Sequence, residues 1–266
     1  MDILSHTFSG MAVGTVAMQF CKGGIKEKST VLFLSTLGGF IPDLDAFSMW
    51  SGFDETVGSF FNLSKSGREI YHSKVWYGHH AFNHSLLAAT LYSCIISLVV
   101  VLKNRSVKPI NILKRKAPLI LGFFFGFMIH VFEDMPTPEF AWGGVALLFP
   151  STNYTGGTGY IWWWNNYDLF LIILSVVFLN LITTLIGKLM KVRMHKVCAM
   201  IFALGMSTYL YQMNTRPFDF QYSGFKGHGN VWSTYEKESK EIQKEILGEY
   251  LFGIMTDFDN SIPFYF

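Results

Sequence analysis

The chain is short of charge. Only 15% of its 266 residues are Asp, Glu, Lys or Arg, against roughly 25% in soluble domains, and 50% are hydrophobic. That balance excludes an ordinary globular protein in water. Cysteine is scarce too. Cys21, Cys94 and Cys198 lie in or beside apolar runs, which excludes a disulfide framework and makes them small core residues. Net charge is only +2, so the broad basic footprint of a nucleic-acid binder is missing. The first apolar run lacks a basic segment before it and a small-residue cleavage site, so no cleavable signal peptide is expected. No internal repeat or low-complexity tract is visible. The run Gly156-Gly157-Thr158-Gly159 neither follows a strand nor ends in Gly-Lys-Ser/Thr. It reads as a flexible loop over a site, not as a phosphate cradle.

What the chain has in quantity is apolar and aromatic surface. Its 26 Phe and 7 Trp suit lipid-facing surfaces and interfacial belts, and Trp162 to Trp164 reads as such a belt. Residues 8–21 and 31–42 are apolar but shorter than the ~20 residues that span a bilayer, so they read as packed core helices, partly inserted. Residues 85–102, 117–132 and 169–187 are long enough to span, and 197–212 form a further apolar helix. The expected fold class is all-α, a membrane-embedded helical bundle. Three parts are expected: a membrane core over 1–152, additional transmembrane helices over 153–213, and a polar tail over 214–266. An amphipathic helix is expected in that tail near Glu236 to Tyr250.

Ionisable residues inside apolar segments are costly in lipid and ask for a reason. His130 and Asp134 stand at i and i+4, so in a helix both leave one face, one turn apart. That spacing suits two ligands of one metal ion, or a buried hydrogen bond that locks two helices. Upstream lie His6, the Pro42-Asp43-Leu44-Asp45 run, and Gly78-His79-His80-Ala81-Phe82-Asn83-His84. His80 and His84 are also i and i+4, so spacing does not decide between His79 and His80. Together these residues form a mixed nitrogen–oxygen donor set suited to zinc, with manganese or iron as alternatives. Without cysteine ligands, an open catalytic centre fits better than a closed structural one. Glu133 points about a quarter turn from Asp134 and reads as an outer partner.

The order of charges predicts sidedness. His6 precedes the first helix, Asp43 and Asp45 end the second, His84 opens the third, and His130 and Asp134 end the fourth. The basic clusters Lys22–Lys28, Lys103–Lys116 and Lys188–Lys196 alternate with them. In an antiparallel bundle all candidate ligands meet at one end and all basic loops at the other. Basic loops stay cytoplasmic as a rule, so site and tail are expected on the extracytoplasmic side.

These residues resemble a known family, the YdjM-type inner-membrane metal-dependent hydrolases, also described as LexA-binding hydrolases. The shared pattern is the early His6, Pro-Asp-x-Asp over Pro42 to Asp45, Gly-His-x-x-x-x-His-Ser-Leu-Leu over Gly78 to Leu87, and His-x-x-x-Asp over His130 to Asp134. Thr137-Pro138 and Pro150 complete it. The likeness covers about residues 1–152. His80-Ala81 and Asn83-His84 stand where the family usually has His-Arg-Gly and Thr-His-Ser. The family is distantly similar to zinc-dependent phospholipases C and single-strand nucleases, which are all-α and hydrolyse phosphate esters. The resemblance implies a zinc phospholipase C-like helical core in a bacterial inner membrane. It also implies a zinc ion, or another divalent transition metal, on His84, His130, Asp134 and one of Asp43 or Asp45. His6 would share a second ion with Asp134.

The metal set to test is therefore His6, Asp43, Asp45, His79, His84, His130 and Asp134, with Asp43 and Asp45 as the carboxylates that orient water or accept its proton. The expected partners are membrane lipid, a divalent metal and a small-molecule or lipid substrate, with no nucleic acid. The expected activity is hydrolysis of a phosphoester. The alternative is a non-catalytic integral membrane protein whose helices are stapled by a His/Asp metal or hydrogen-bond site.

Overall fold

Small residues set the packing of the first helices. In the computed structural model, which describes residues 2–137, 143–162, 166–216 and 231–261 (the backbone alone for 231–236), helix α1 spans Ile3–Ala17. Asp2 caps it, its carboxylate accepting from Ser5 N–H. Helix α2 spans Ile25–Phe40, and α5 spans Pro109–Asp134. A methyl group at Gly39 would run into the His6 carbonyl, and one at Gly126 into the Ser35 carbonyl. The three backbones therefore approach closely. Small residues permit that approach in a membrane, where lipid supplies no hydrophobic drive between helices.

Around this trio the remaining elements among the described residues are all helical, as the all-α reading expects. Helix α3 (Gly67–His72) is short and begins in a Ser66/Glu69 capping box. Helix α4 (Leu86–Leu102) packs on α5, and Ser85 caps it by accepting from Ala88 N–H. Helices α6 (Tyr167–Met190) and α7 (His195–Asn214) pair with each other and close on α1. Ala12, Ile173, Val176, Val177 and Tyr209 fill that interface. Leu91, Ile95 and Leu98 on α4, Leu185 on α6 and Leu204 on α7 point outward and are exposed. Such apolar outer faces suit lipid and not water.

One length reading changes and another proves marginal. The run 31–42 is part of a continuous helical stretch, Ile25–Met49, of 25 residues. It gains length because Lys26, Glu27 and Lys28 are accommodated in its first turn and a 3-10 segment, Ile41–Met49, prolongs its end. The run 85–102 yields a helix of 17 residues, at the lower limit for crossing a bilayer. Among the described residues, Ile25–Met49, Pro109–Asp134 and Tyr167–Met190 are long and apolar enough to cross a membrane.

The segment from Gly143 to Trp162 is tied down. Gly157 N–H donates to the Met135 carbonyl at 2.7 Å and Ile161 N–H to that of Pro136 at 3.1 Å, while Val145 and Thr155 exchange both backbone hydrogen bonds. This is the glycine run read as a flexible loop. Gly156 has φ +114, and a methyl there would meet the Met135 backbone. The glycines serve close approach at the end of α5. Trp162, read as part of an interfacial belt, is 1% exposed, with the Arg216 guanidinium 4.4 Å over its ring. An interior cation–π contact takes the place of the lipid interface.

The amphipathic tail helix is longer than expected. Helix α8 spans Val231–Ser261 and breaks at Gly248, where φ is 74. Its buried Gln243 donates to the Asp168 carboxylate at 3.1 Å and accepts from Asp168 N–H at 3.3 Å. Pro138, Trp163, Trp164, Gly224, Gly227, His228 and Gly229 lie outside the described residues.

Candidate metal centre

Five histidines and four carboxylates meet at the end of the bundle where α1 begins and α5 ends. The segments that carry them are far apart in sequence, so the helix packing does the gathering. Because Gly39 lets α1 and α2 touch, the Gly39 carbonyl reaches α5 and accepts from His130 Nδ1–H at 2.7 Å. Asp134 follows one turn later on the same face. The 3-10 segment after Pro42 brings in Asp43 and Asp45, and a second 3-10 turn, Phe82–His84, brings in His84. His79 and His80 are sequence neighbours, yet both are buried in the cluster. His80 takes a left-handed backbone, φ 62, a conformation in which His is enriched among non-glycine residues.

One pattern recurs at every ring: each Nδ1 faces an oxygen. His6 Nδ1 is 2.9 Å from Glu133 Oε2, His79 Nδ1 is 2.6 Å from Asp45 Oδ1, and His80 Nδ1 is 2.9 Å from the Gly144 carbonyl. His84 Nδ1 is 3.2 Å from Asp45 Oδ2, and His130 Nδ1 meets Gly39 as described. Metal-binding imidazoles are held in this way, with one nitrogen donating to an oxygen so that the other offers its lone pair. Here the Nε2 atoms converge. Those of His84 and His130 are 3.1 Å apart. Asp134 Oδ2 lies 3.0 Å from His130 Nε2, 3.3 Å from His84 Nε2 and 3.6 Å from His80 Nε2. Asp43 Oδ1 lies 3.5 Å from His130 Nε2 and 3.7 Å from His84 Nε2.

The donor set fits a divalent ion. Asp43, His84, His130 and Asp134 each bring one ligand atom, all within 4.8 Å of one another. Tetrahedral bonds of ~2.0–2.1 Å, as zinc makes to nitrogen and oxygen, place ligand atoms ~3.3–3.4 Å apart. The measured separations bracket that value. The electrostatics agree. Burial disfavours charge on His84, but the nearby carboxylates of Asp45, Asp134 and Asp43 outweigh it and push its pKa well above the usual imidazole value. The same carboxylates would favour a cation at that place. His80 goes the other way: burial and the neighbouring His79 hold it well below the usual value, as a neutral ring.

Every residue of the expected metal set lies in this cluster. They differ in role by position. Asp43, His84, His130 and Asp134 form the inner group. Asp45 sits behind His79 and His84. His6 stacks on His130 with ring centroids 3.8 Å apart, and its Nε2 is 3.1 Å from Asp134 Oδ1. Glu133, read as an outer partner, holds His6 and accepts from Ser9 Oγ–H at 2.5 Å. Sequence reading left His80 out of the set. Spacing left His79 and His80 as alternatives, since neighbouring side chains ordinarily diverge, and the left-handed backbone of His80 accompanies the burial of both in the cluster. It also missed Tyr71, whose ring lies flat on His79 at 4.5 Å and 11°. Burial and the charges of Asp43, Asp45 and Asp134 push its hydroxyl well above the usual range.

The class defined by this fold and site is an all-helical membrane protein with a buried His/Asp centre able to hold a metal ion. Residues 1–216 match the family model described as YdjM inner membrane protein, and the chain belongs to that family. No curated protein and no solved structure matches the chain. Helix α8 lies beyond the matched residues.

Proposed function

We propose that the protein is a membrane-bound, metal-dependent hydrolase acting on a phosphoester of a lipid or another amphiphile. The observation that carries this reading is the surplus of oriented donors. A closed structural zinc site needs four ligands, and Asp43, His84, His130 and Asp134 already supply four. His6, His79, His80, Asp45 and Glu133 would then be an unexplained cost in a buried place. Catalysis gives them work.

A divalent ion, when bound, lowers the pKa of water toward ~7 and neutralises charge on phosphoryl oxygens. The protein residues do the rest. His84, His130 and Asp134 hold the centre, with side chains 0–2% exposed. Asp43 is the most open of the inner group at 10%, which makes it the carboxylate that orients water from the solvent side. Asp45 fixes His79 and His84 from behind, and the Asp43/Asp45 pair supplies the carboxylate that accepts the water's proton. The phosphoester class comes from the resemblance to zinc-dependent phospholipases C. The membrane setting favours an amphiphilic substrate. The site faces the extracytoplasmic side, because the Lys22–Lys28, Lys103–Lys116 and Lys188–Lys196 clusters lie at the other end of their helices.

A second reading has its own observation. The four inner donors come from three separate parts of the chain and are nearly sealed, which suits an ion or proton that staples helices. Turnover decides. Zinc- or manganese-loaded protein in nanodiscs is mixed with phosphatidylglycerol/phosphatidylethanolamine vesicles and, separately, with bis(p-nitrophenyl) phosphate. Phosphoester cleavage that Asp43→Asn abolishes supports the hydrolase. Wild type no faster than Asp43→Asn, with its metal retained, establishes the staple.

A further inference from the structure

We infer that the segment from Trp50 to Tyr77 lies in the headgroup layer of the bilayer, with the turn Phe60-Phe61-Asn62-Leu63 dipping among the acyl chains. Topology confines it there. The segment leaves the spanning stretch Ile25–Met49 just after Asp43 and Asp45, and it returns to α4 through His79, His80 and His84. Both attachments are at the same end of the bundle. Helix α3 packs back on Ile41–Met49, and Asp54 Oδ1 accepts from Gly67 N–H at 2.6 Å. The segment therefore folds back on itself where the membrane helices end.

The turn at its tip is a built feature. Leu63 N–H donates to the Gly58 carbonyl at 2.9 Å and Asn62 N–H to that of Ser59 at 3.2 Å, and Asn62 has φ 50. These are the paired bonds and the left-handed residue of a Schellman helix end. In that motif the residue in the place of Leu63 commonly packs back on the helix. Here the position it would meet is Gly58, which has no side chain, and Leu63 stays exposed. Phe60 is 83% exposed and Phe61 65%. A backbone fixed by its own hydrogen bonds thus holds three apolar side chains away from the core. Contiguous apolar surface of this kind marks an interaction site.

The surroundings match a lipid surface. Trp50, Trp76 and Tyr77 are exposed, and these residue types collect at the lipid–water interface. Lys65, Arg68 and Lys74 are exposed as well, whereas the Asp54 carboxylate is taken up by Gly67 N–H and that of Glu69 by Ser66 N–H at 2.8 Å. Long cationic side chains on such a segment keep their heads at lipid phosphates. The partner is therefore the anionic phospholipid leaflet at the end of the bundle that carries the His/Asp centre. This placement adds a route to the hydrolase reading without depending on it. Phe47 follows Asp45 by two residues and Tyr77 precedes His79 by two, so an amphiphile would reach the centre from the membrane plane.

The test uses full-length protein with Cys21, Cys94 and Cys198 replaced and one nitroxide-labelled cysteine, in phosphatidylglycerol/phosphatidylethanolamine bilayers. Power saturation of the electron paramagnetic resonance signal compares collisions with oxygen, which enters lipid, and with a nickel chelate, which stays in water. Phe60→Cys is expected to favour oxygen, at a depth of ~5–10 Å below the headgroup boundary, as Ile95→Cys does on the outer face of α4. Lys237→Cys, on the charged half of α8 and exposed, is expected to favour nickel. Leu63→Cys repeats the reading with both phenylalanines in place and should also favour oxygen. Labels at 60 and 63 that match Lys237→Cys overturn the inference in favour of water. Labels screened from both reagents overturn it in favour of a protein partner. The readout needs neither metal nor turnover, so failure here leaves the hydrolase reading standing.

Discussion

The Nε2 atoms of His84 and His130 face each other across 3.1 Å. The Nδ1–H of His130 donates to the Gly39 carbonyl, which leaves Nε2 facing His84 and the Asp134 carboxylate. Asp134 and Asp43 stand around the two imidazoles and favour positive charge among them, from a proton or an ion. The four groups could hold a cation, and the proposals that follow from that reading can be separated experimentally.

Asp45→Asn is expected to keep the fold and weaken metal binding ~10–100-fold, the usual cost of losing an outer partner. Asp45 touches the Nδ1 atoms of His79 and His84 from behind the inner group. Competition with a fluorescent chelator measures the change. An unchanged affinity would remove Asp45 from any supporting role.

Gly39→Ala is expected to lose stability, by ~1–3 kcal/mol as for an overpacked core, together with metal. The added methyl meets the His6 carbonyl, so α1 and α2 must part and the Gly39 carbonyl must leave His130. Thermal unfolding in detergent, with and without zinc, measures both effects. Gly24→Ala, where a methyl meets nothing, is the control and should match wild type.

The sequence shows the donors plainly and their grouping only in part. His130 and Asp134 are legible because helical period alone puts them on one face. Asp43, Asp45 and His84 are legible as ends of apolar runs whose order alternates with basic loops. His80 is not, because spacing leaves it as an alternative to His79. The helix at 31–42 is misjudged because a polar first turn and a 3-10 extension, not hydropathy, set where it starts and stops, whereas 85–102 is found as Leu86–Leu102 behind its Ser85 cap. Trp162 is misjudged because its partner, Arg216, is far along the chain.

Arg216→Ala is expected to cost ~3–5 kcal/mol, the penalty for leaving a buried charge without its partner. The Arg216 guanidinium donates to Asp168 Oδ1 at 2.6 Å, and the two side chains are 0% and 6% exposed. Gln243 from α8 joins the same carboxylate. Gln243→Ala should release α8 alone, seen as faster proteolysis within 231–261 while residues 1–216 stay protected. Equal protease resistance in wild type and Gln243→Ala would show that α8 is held by other contacts.

Orientation has a direct test. A cysteine placed at Ser233, with Cys21, Cys94 and Cys198 replaced, is expected to react with an impermeant thiol reagent in intact cells. Reaction only after the cells are opened would place the tail, and the His/Asp centre with it, on the cytoplasmic side.

The central claim is that the buried His/Asp cluster binds a divalent transition metal, and metal analysis of the purified full-length protein addresses it most directly. Wild type should carry at least one such ion per chain after exhaustive dialysis, whereas His130→Ala/Asp134→Ala should carry none at equal folded yield. Metal-free wild type that stays unloaded when offered zinc or manganese, or a double variant that retains the wild-type content, would contradict it.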